Sequence, residues 1–187
     1  MKYSDLKDLE ENNKTTLLSM FSGILTTIKN TSTRKLTDII KDIPSVCKMH
    51  YTSYEYSLLK KNTYNNIHPV VPTKGEIYNA FITVGVGKEL CGNHPVVIMQ
   101  NQSQNMHADK VNVLPIEGNG NKINPRYQVQ ITNDDLEDNV SLIKNPSRVI
   151  VSDILTIDKA RLGIKVGKLK DEKIKIINEK LKIQLDL

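Results

Sequence analysis

His94 and Glu117 are the two side chains whose type and placement suggest chemistry. His94 closes the loop Gly92-Asn93 and stands before Pro95, at the mouth of the apolar run Val96-Val97-Ile98-Met99. Glu117 ends a second run, Val111 to Ile116, and is followed by Gly118-Asn119-Gly120-Asn121-Lys122. Ionisable groups at strand ends beside flexible loops are where sites tend to form, because a rigid scaffold there presents side chains to a ligand. If the two runs are neighbouring strands, His94 and Glu117 face each other across one end of a barrel. An imidazole and a carboxylate suffice for metal-free RNA cleavage, one taking the proton of the ribose 2′-OH and the other protonating the departing 5′-oxygen. A cation is then needed against the phosphorane's charge, and Lys88, Lys122 and Arg126 are the nearest in sequence. The competing reading is a surface salt bridge, or no contact between the two.

The other histidines are less suggestive. His50 lies in a Tyr-rich helical stretch with Tyr51, Tyr54 and Tyr56 and reads as surface or packing. His68 in a linker and His107 in a polar loop after Met106 read as solvated. Cys47 and Cys91 cannot build a disulfide framework, and no Cys/His cluster has zinc spacing, so a reducing cytoplasm with neither structural disulfide nor structural zinc is expected. No P-loop, GxSxG, HExxH or paired-carboxylate motif competes for the chemistry.

The elements that must position the pair change character near residue 70. Upstream, Leu17, Phe21, Ile24 and Ile28 share one helical face, after an early acidic turn from Asp5 that would complement the positive end of a helix dipole. That apolar stripe is expected to be buried. Asn30, Ser32 and Thr33 read as a break, Leu36 to Ile43 as a short helix stopping before Pro44, and Ser45 to Lys61 as a third helix. Asn62 to Pro72 reads as a linker. Downstream the period is that of strands: Ile77 to Val84, Val96 to Met99, Val111 to Ile116, and Tyr127 to Ile131 with clean alternation. Arg148 to Ile157 is the most β-branched stretch. Short strands joined by Gly/Asn loops imply a small antiparallel barrel or sandwich, and Asp171 to Leu185 a closing helix that packs on it. The division expected is 1–70, a helical extension and linker, and 71–187, the β domain.

With 187 residues the chain can bury one ordinary core plus an appendage. It carries a net charge of +5, and the stretch Lys144–Lys182 holds 11 Lys+Arg against 5 acids. Such a basic third suits RNA or DNA phosphates, although five of its lysines, Lys170 to Lys182, also fit the solvated face of a helix. No stretch approaches the roughly 18 to 20 apolar residues of a membrane span, and no basic n-region marks a signal peptide.

Three blocks of residues are familiar together. Gly75-Glu76-Ile77-Tyr78 resembles the opening strand of the MazF/PemK-like toxins of type II toxin–antitoxin systems. Gly87-Lys88-Glu89-Leu90-Cys91-Gly92-Asn93-His94-Pro95-Val96-Val97-Ile98-Met99-Gln100-Asn101 is similar to the family's block with Arg-Pro-Val at its centre. Asp153-Ile154-Leu155-Thr156-Ile157-Asp158-Lys159-Ala160-Arg161-Leu162-Gly163 is similar to its Gln-Ile-Arg-Thr-Ile-Asp-Lys block. The resemblance covers about residues 74–185 and leaves 1–70 unmatched.

It implies a mainly β fold, a small SH3-like antiparallel barrel with a C-terminal helix, preceded here by the helical extension. It also implies a cytoplasmic homodimer that cuts single-stranded RNA sequence-specifically and without a cofactor, through 2′-OH attack, and that a cognate antitoxin blocks. The departures fall at the centre of the chemistry: the arginine before Pro-Val is His94, and the site threonine after the third strand is Glu117. An acidic residue that many members carry aligns with Ser152, beside Asp153. A replacement acid–base pair is favoured over a dead site, with Lys88, Gln100, Asn119, Lys122 and Arg126 positioning RNA and no metal ligand. The rivals are an inactive module of the same fold that binds RNA or an antitoxin without cleavage, and a toxin that inhibits a topoisomerase.

Overall fold

The structure is a computed structural model that describes residues 11–29, 32–137 and 140–187. The acidic turn expected from Asp5 and the break expected at Asn30 lie outside the described residues. The chain divides into two compact units, residues 1–51 and 52–187.

The first unit holds helix α1 (Glu11–Thr27) and the first part of helix α2 (Thr33–Lys61). The apolar stripe is not covered within this unit: Leu17, Ile24 and Ile28 are 49%, 50% and 36% exposed. Nor does the chain stop at Pro44, which lies inside one continuous helix of 29 residues. Proline adopts a helical φ and forfeits one main-chain hydrogen bond, a loss that a helix of this length absorbs.

The second unit is a seven-stranded antiparallel sheet with a C-terminal helix. Its strands are β1 (Glu76–Ile82), β2 (Gly92–Ile98), β3 (Lys110–Glu117), β4 (Gln128–Ile131), β5 (Ser147–Ile150), β6 (Leu155–Asp158) and β7 (Leu162–Lys168). The strand path is β4-β5-β3-β2-β1-β7, with β6 added on β3. Expected strands recur with shifted ends, and the β-branched stretch Arg148–Ile157 divides into β5 and β6. The division has a topological cause: β5 pairs the end of β3 and β6 its beginning, so the chain turns between them. Strand β7 and a short helix α3 (Gln102–His107) were not expected.

Residues alternate between the faces of the sheet, and here both faces are covered. Ile77, Val97, Leu114, Ile116, Ile131 and Val149 gather with Leu169, Ile174 and Ile177 in one core, the last two from helix α4 (Asp171–Leu185). Ala80, Val96, Ile98, Val111, Val113 and Ile157 form a second cluster. Burial on both faces is why Val96-Val97-Ile98 is uninterrupted. The barrel is not closed by a ladder. A lone bridge, Leu136 with Leu169, and the hydrogen bond Glu137 N–H to Lys168 O at 2.8 Å link the ends of the path.

The last turns of α2 belong to this second unit. Ser53 Oγ donates to Asp158 Oδ2 at 2.9 Å, Lys60 Nζ pairs with Asp109 at 2.8 Å, and the Tyr56 ring meets His68 edge-on. Positions 53, 56 and 60 lie on one helical face. His68, expected to be solvated, is 2% exposed, because α2 and the chain around Met106 enclose it. Lys159 is fully buried and donates to the Asn105 carbonyl at 2.6 Å.

Candidate active site

The ladder between β2 and β3 runs Ile98–Val113, Val97–Leu114, Val96–Pro115 and ends there. Pro95 and Pro115, which have no N–H to donate, stand at its end. Beyond it β3 changes partner: Ile116 pairs with Val149 and Glu117 with Arg148, both on β5. The end of β2, still paired with β1, and the departing end of β3 are therefore no longer bonded to each other, and continuing their register would set His94 opposite Glu117. A cleft of ≈ 450 Å³ opens in that fork. His94 and Glu117 both line it, as do Asn79, Asn93, Asn119 and Lys144.

His94 is half-buried and sits on β2 opposite Ala80 of β1. Its Nε2 is 2.9 Å from the Cys91 carbonyl oxygen. A carbonyl only accepts, so Nε2 carries the hydrogen and, in the neutral ring, Nδ1 carries the lone pair. Glu117 Oε2 accepts from Arg148 Nη2 at 2.8 Å, and Arg148 Nη1 donates to the Lys122 carbonyl at 2.7 Å. The guanidinium thereby fixes both the carboxylate and the loop that follows β3. Arg148 Nε is buried with no partner among the described residues.

The loop after β3 is shaped by two glycines. A Cβ on Gly120 would overlap the Ser147 backbone, against which Gly120 N–H donates to the Pro146 carbonyl at 3.0 Å. A Cβ on Gly118 would overlap the Lys144 side chain, which lies across it. Asn119 takes a left-handed backbone, φ 65°, a conformation that asparagine tolerates better than most residues.

The residues named from the sequence do not all converge. His94, Glu117 and Asn119 share the cleft. Lys122 contributes its carbonyl to Arg148, while Lys88 and Arg126 are exposed on loops outside the cleft lining. Gln100 is 7% exposed beyond the other end of β2. Its Nε2 donates to the Lys110 carbonyl at 3.2 Å and its Oε1 accepts from Asn112 N–H at 3.3 Å, so its amide stitches β2 to β3. Arg148 and Lys144 were missed. Both belong to strands or walls far along the chain from His94, and only the pairing of β3 with β5 brings them near. Among the described residues no three His, Cys, Asp or Glu side chains are grouped to hold a metal ion.

Comparison with known proteins agrees with this architecture. The model of the PemK-like, MazF-like toxins of type II toxin–antitoxin systems matches residues 73–185. Endoribonuclease MazF of Staphylococcus saprophyticus is 33% identical over 114 residues, 61% of this chain and 91% of that protein. The crystal structure of MazF from Deinococcus radiodurans superposes with a TM-score of 0.51 at 17% identity, covering 63% of this chain and 98% of that one.

Proposed function

This chain belongs to the PemK-like, MazF-like toxin family of type II toxin–antitoxin systems, and we propose that its second unit is a metal-independent endoribonuclease acting on single-stranded RNA at the His94–Glu117 cleft. The observation that carries the reading is the convergence of an imidazole and an ion-paired carboxylate on one cleft of a fold whose relative is an endoribonuclease. Arg148 fixes the Glu117 carboxylate in place at the cleft, where it can serve as the base. Glu117 takes the proton of the ribose 2′-OH as the 2′-oxygen bonds to phosphorus. The bond from phosphorus to the 5′-oxygen breaks, and the leaving oxygen takes a proton from the His94 imidazolium. The products are a 2′,3′-cyclic phosphate and a 5′-hydroxyl end.

Selection among RNA sequences falls to the loops on either side of the cleft, with Asn93 and Asn119 offering amide donors and acceptors to base edges. A cognate antitoxin is the partner that the family implies, and a homodimer in the cytoplasm its expected state. The test is cleavage of a long mixed-sequence RNA in EDTA, with the 5′ ends mapped. Discrete cuts by the wild type that vanish in His94→Ala and Glu117→Gln support the reading. No cuts, by the full chain and by one beginning at Val71, leave a module that binds RNA or antitoxin without cutting.

A further inference from the structure

Cleavage in this cleft requires a positive charge that the acid–base pair does not itself supply. The scissile phosphodiester carries one negative charge and its phosphorane two. Protonated His94 offsets one of these, and the Glu117–Arg148 pair is internally neutral. Arg148 also does not line the cleft, its terminal nitrogens being turned to Glu117 and to the Lys122 carbonyl. Of the cations nearest in sequence to the pair, none lines the cleft.

Lys144 does. It follows Leu142 and Ile143 in the chain, and all three line the cleft. Its stem lies over Gly118, where the missing side chain leaves it room, and its Nζ is 3.4 Å from the point that a Cβ of residue 118 would occupy. The ammonium is therefore held one residue from the proposed base. Among the described residues it has no anionic partner, whereas Lys60, Lys165, Lys168, Lys173 and Lys182 each pair with a carboxylate. A lysine left unneutralised at the mouth of a cleft keeps its charge for an incoming anion.

Resting on the ribonuclease reading above, we propose that Lys144 is a catalytic residue of this site, its ammonium donating to a non-bridging oxygen of the scissile phosphate and stabilising the charge that develops on it. Gly118 is the positioning residue that lets it do so.

Rates on a short RNA containing one mapped cut site test this directly. Lys144→Ala is expected to lower kcat by about 10²- to 10³-fold with KM changed less than about threefold, as for removal of a donor to a developing oxyanion. Lys144→Arg restores part of that loss. Gly118→Ala, which pushes the stem aside while leaving Lys144 in the sequence, lowers kcat without lowering the melting temperature. A kcat for Lys144→Ala within about twofold of wild type, while His94→Ala and Glu117→Gln are slowed by about 10²-fold or more, overturns the assignment of Lys144 and leaves the ribonuclease standing. So does a rise in KM alone, which would make the lysine a uniform binding contact. A wild-type chain that makes no cuts removes both.

Discussion

Glu117 and Arg148 are cross-strand partners on β3 and β5, and their side chains close the same contact, with Nη2 on Oε2 at 2.8 Å. The pair is partly buried, with 36% of the Glu117 and 22% of the Arg148 side chain exposed, so solvent screens it only in part. Removing the guanidinium frees the carboxylate and unfastens the loop through Lys122 at once. Arg148→Ala is expected to lower stability by about 1–3 kcal/mol and to slow cleavage more than Arg148→Lys, which keeps the charge but not the second hydrogen bond. Urea titration and cleavage rates on the same samples separate the two effects.

The proposed role of His94 as the acid fixes the sign of one pH limb. The acid must be protonated, so it sets the alkaline limb of the rate profile. That limb should disappear from the residual activity of His94→Ala and persist in Lys144→Ala. An alkaline limb unchanged in His94→Ala would assign the acid elsewhere.

Lys159 makes stability depend on alkaline pH. Burial pushes its ammonium down to about 8, against the pull of Asp109. The unfolded chain therefore binds more protons than the native state between about 8 and the ordinary lysine value of 10.5, and stability rises with pH across that window. His68, held below the ordinary histidine value by burial and then by the charge of Lys159, acts in the same sense at lower pH: stability is lost as pH falls through its range. Lys159→Met should remove an alkaline slope worth on the order of 1–3 kcal/mol. Denaturant midpoints of wild type and variant, compared from pH 7 to 10, give the slope.

Gly120 is a test of close approach rather than of backbone conformation. A Cβ there meets the Ser147 carbonyl, which is main chain and cannot rotate aside. Gly120→Ala should cost about 1–3 kcal/mol, while Gly118→Ala, which meets only the flexible Lys144 side chain, should cost little. Thermal melts of the two alanine variants should differ clearly.

The boundary of the folded unit can be located by truncation. A chain beginning at Val71 loses Ser53, Tyr56, Lys60 and His68, and leaves Asp158, Asp109 and Lys159 without their present neighbours. It is expected to be less stable than the full chain by on the order of 2–4 kcal/mol. Chemical denaturation of both measures the difference.

Much of the β unit was legible because its signals are local. The uninterrupted apolar runs that became β2 and β3 and the stripe of α4 each follow from a few adjacent residues. So did His94 and Glu117, which announce themselves as ionisable groups at strand ends. Other features depend on pairing that no short window contains. Strand β7, Leu162–Lys168, is diluted by Gly163 and Gly167, and takes its place only by lying against β1 about 80 residues earlier. Gln100 sits in a familiar block, yet its amide is consumed by the backbone of β3. His68 reads as a linker residue until α2 covers it. Lys144 and Arg148 look like members of a basic tail, and only the change of partner by β3 reveals what they face.

An open strand path has a seam. Here it runs where Leu136 meets Leu169, and among the described residues it is crossed not by a ladder but by an isolated bridge, the Glu137–Lys168 and Asp135–Lys173 ion pairs and the hydrogen bond from Lys170 N–H to the Asp135 carbonyl at 2.8 Å. A molecule built this way breathes along its seam before it melts, so the amides of Glu137 and Lys170, which bond across it, should exchange with deuterium well ahead of those of Val97 and Leu114. The cleft residues that include Lys144 begin a few positions beyond that line, which places the least secure part of the sheet beside the proposed entrance for RNA.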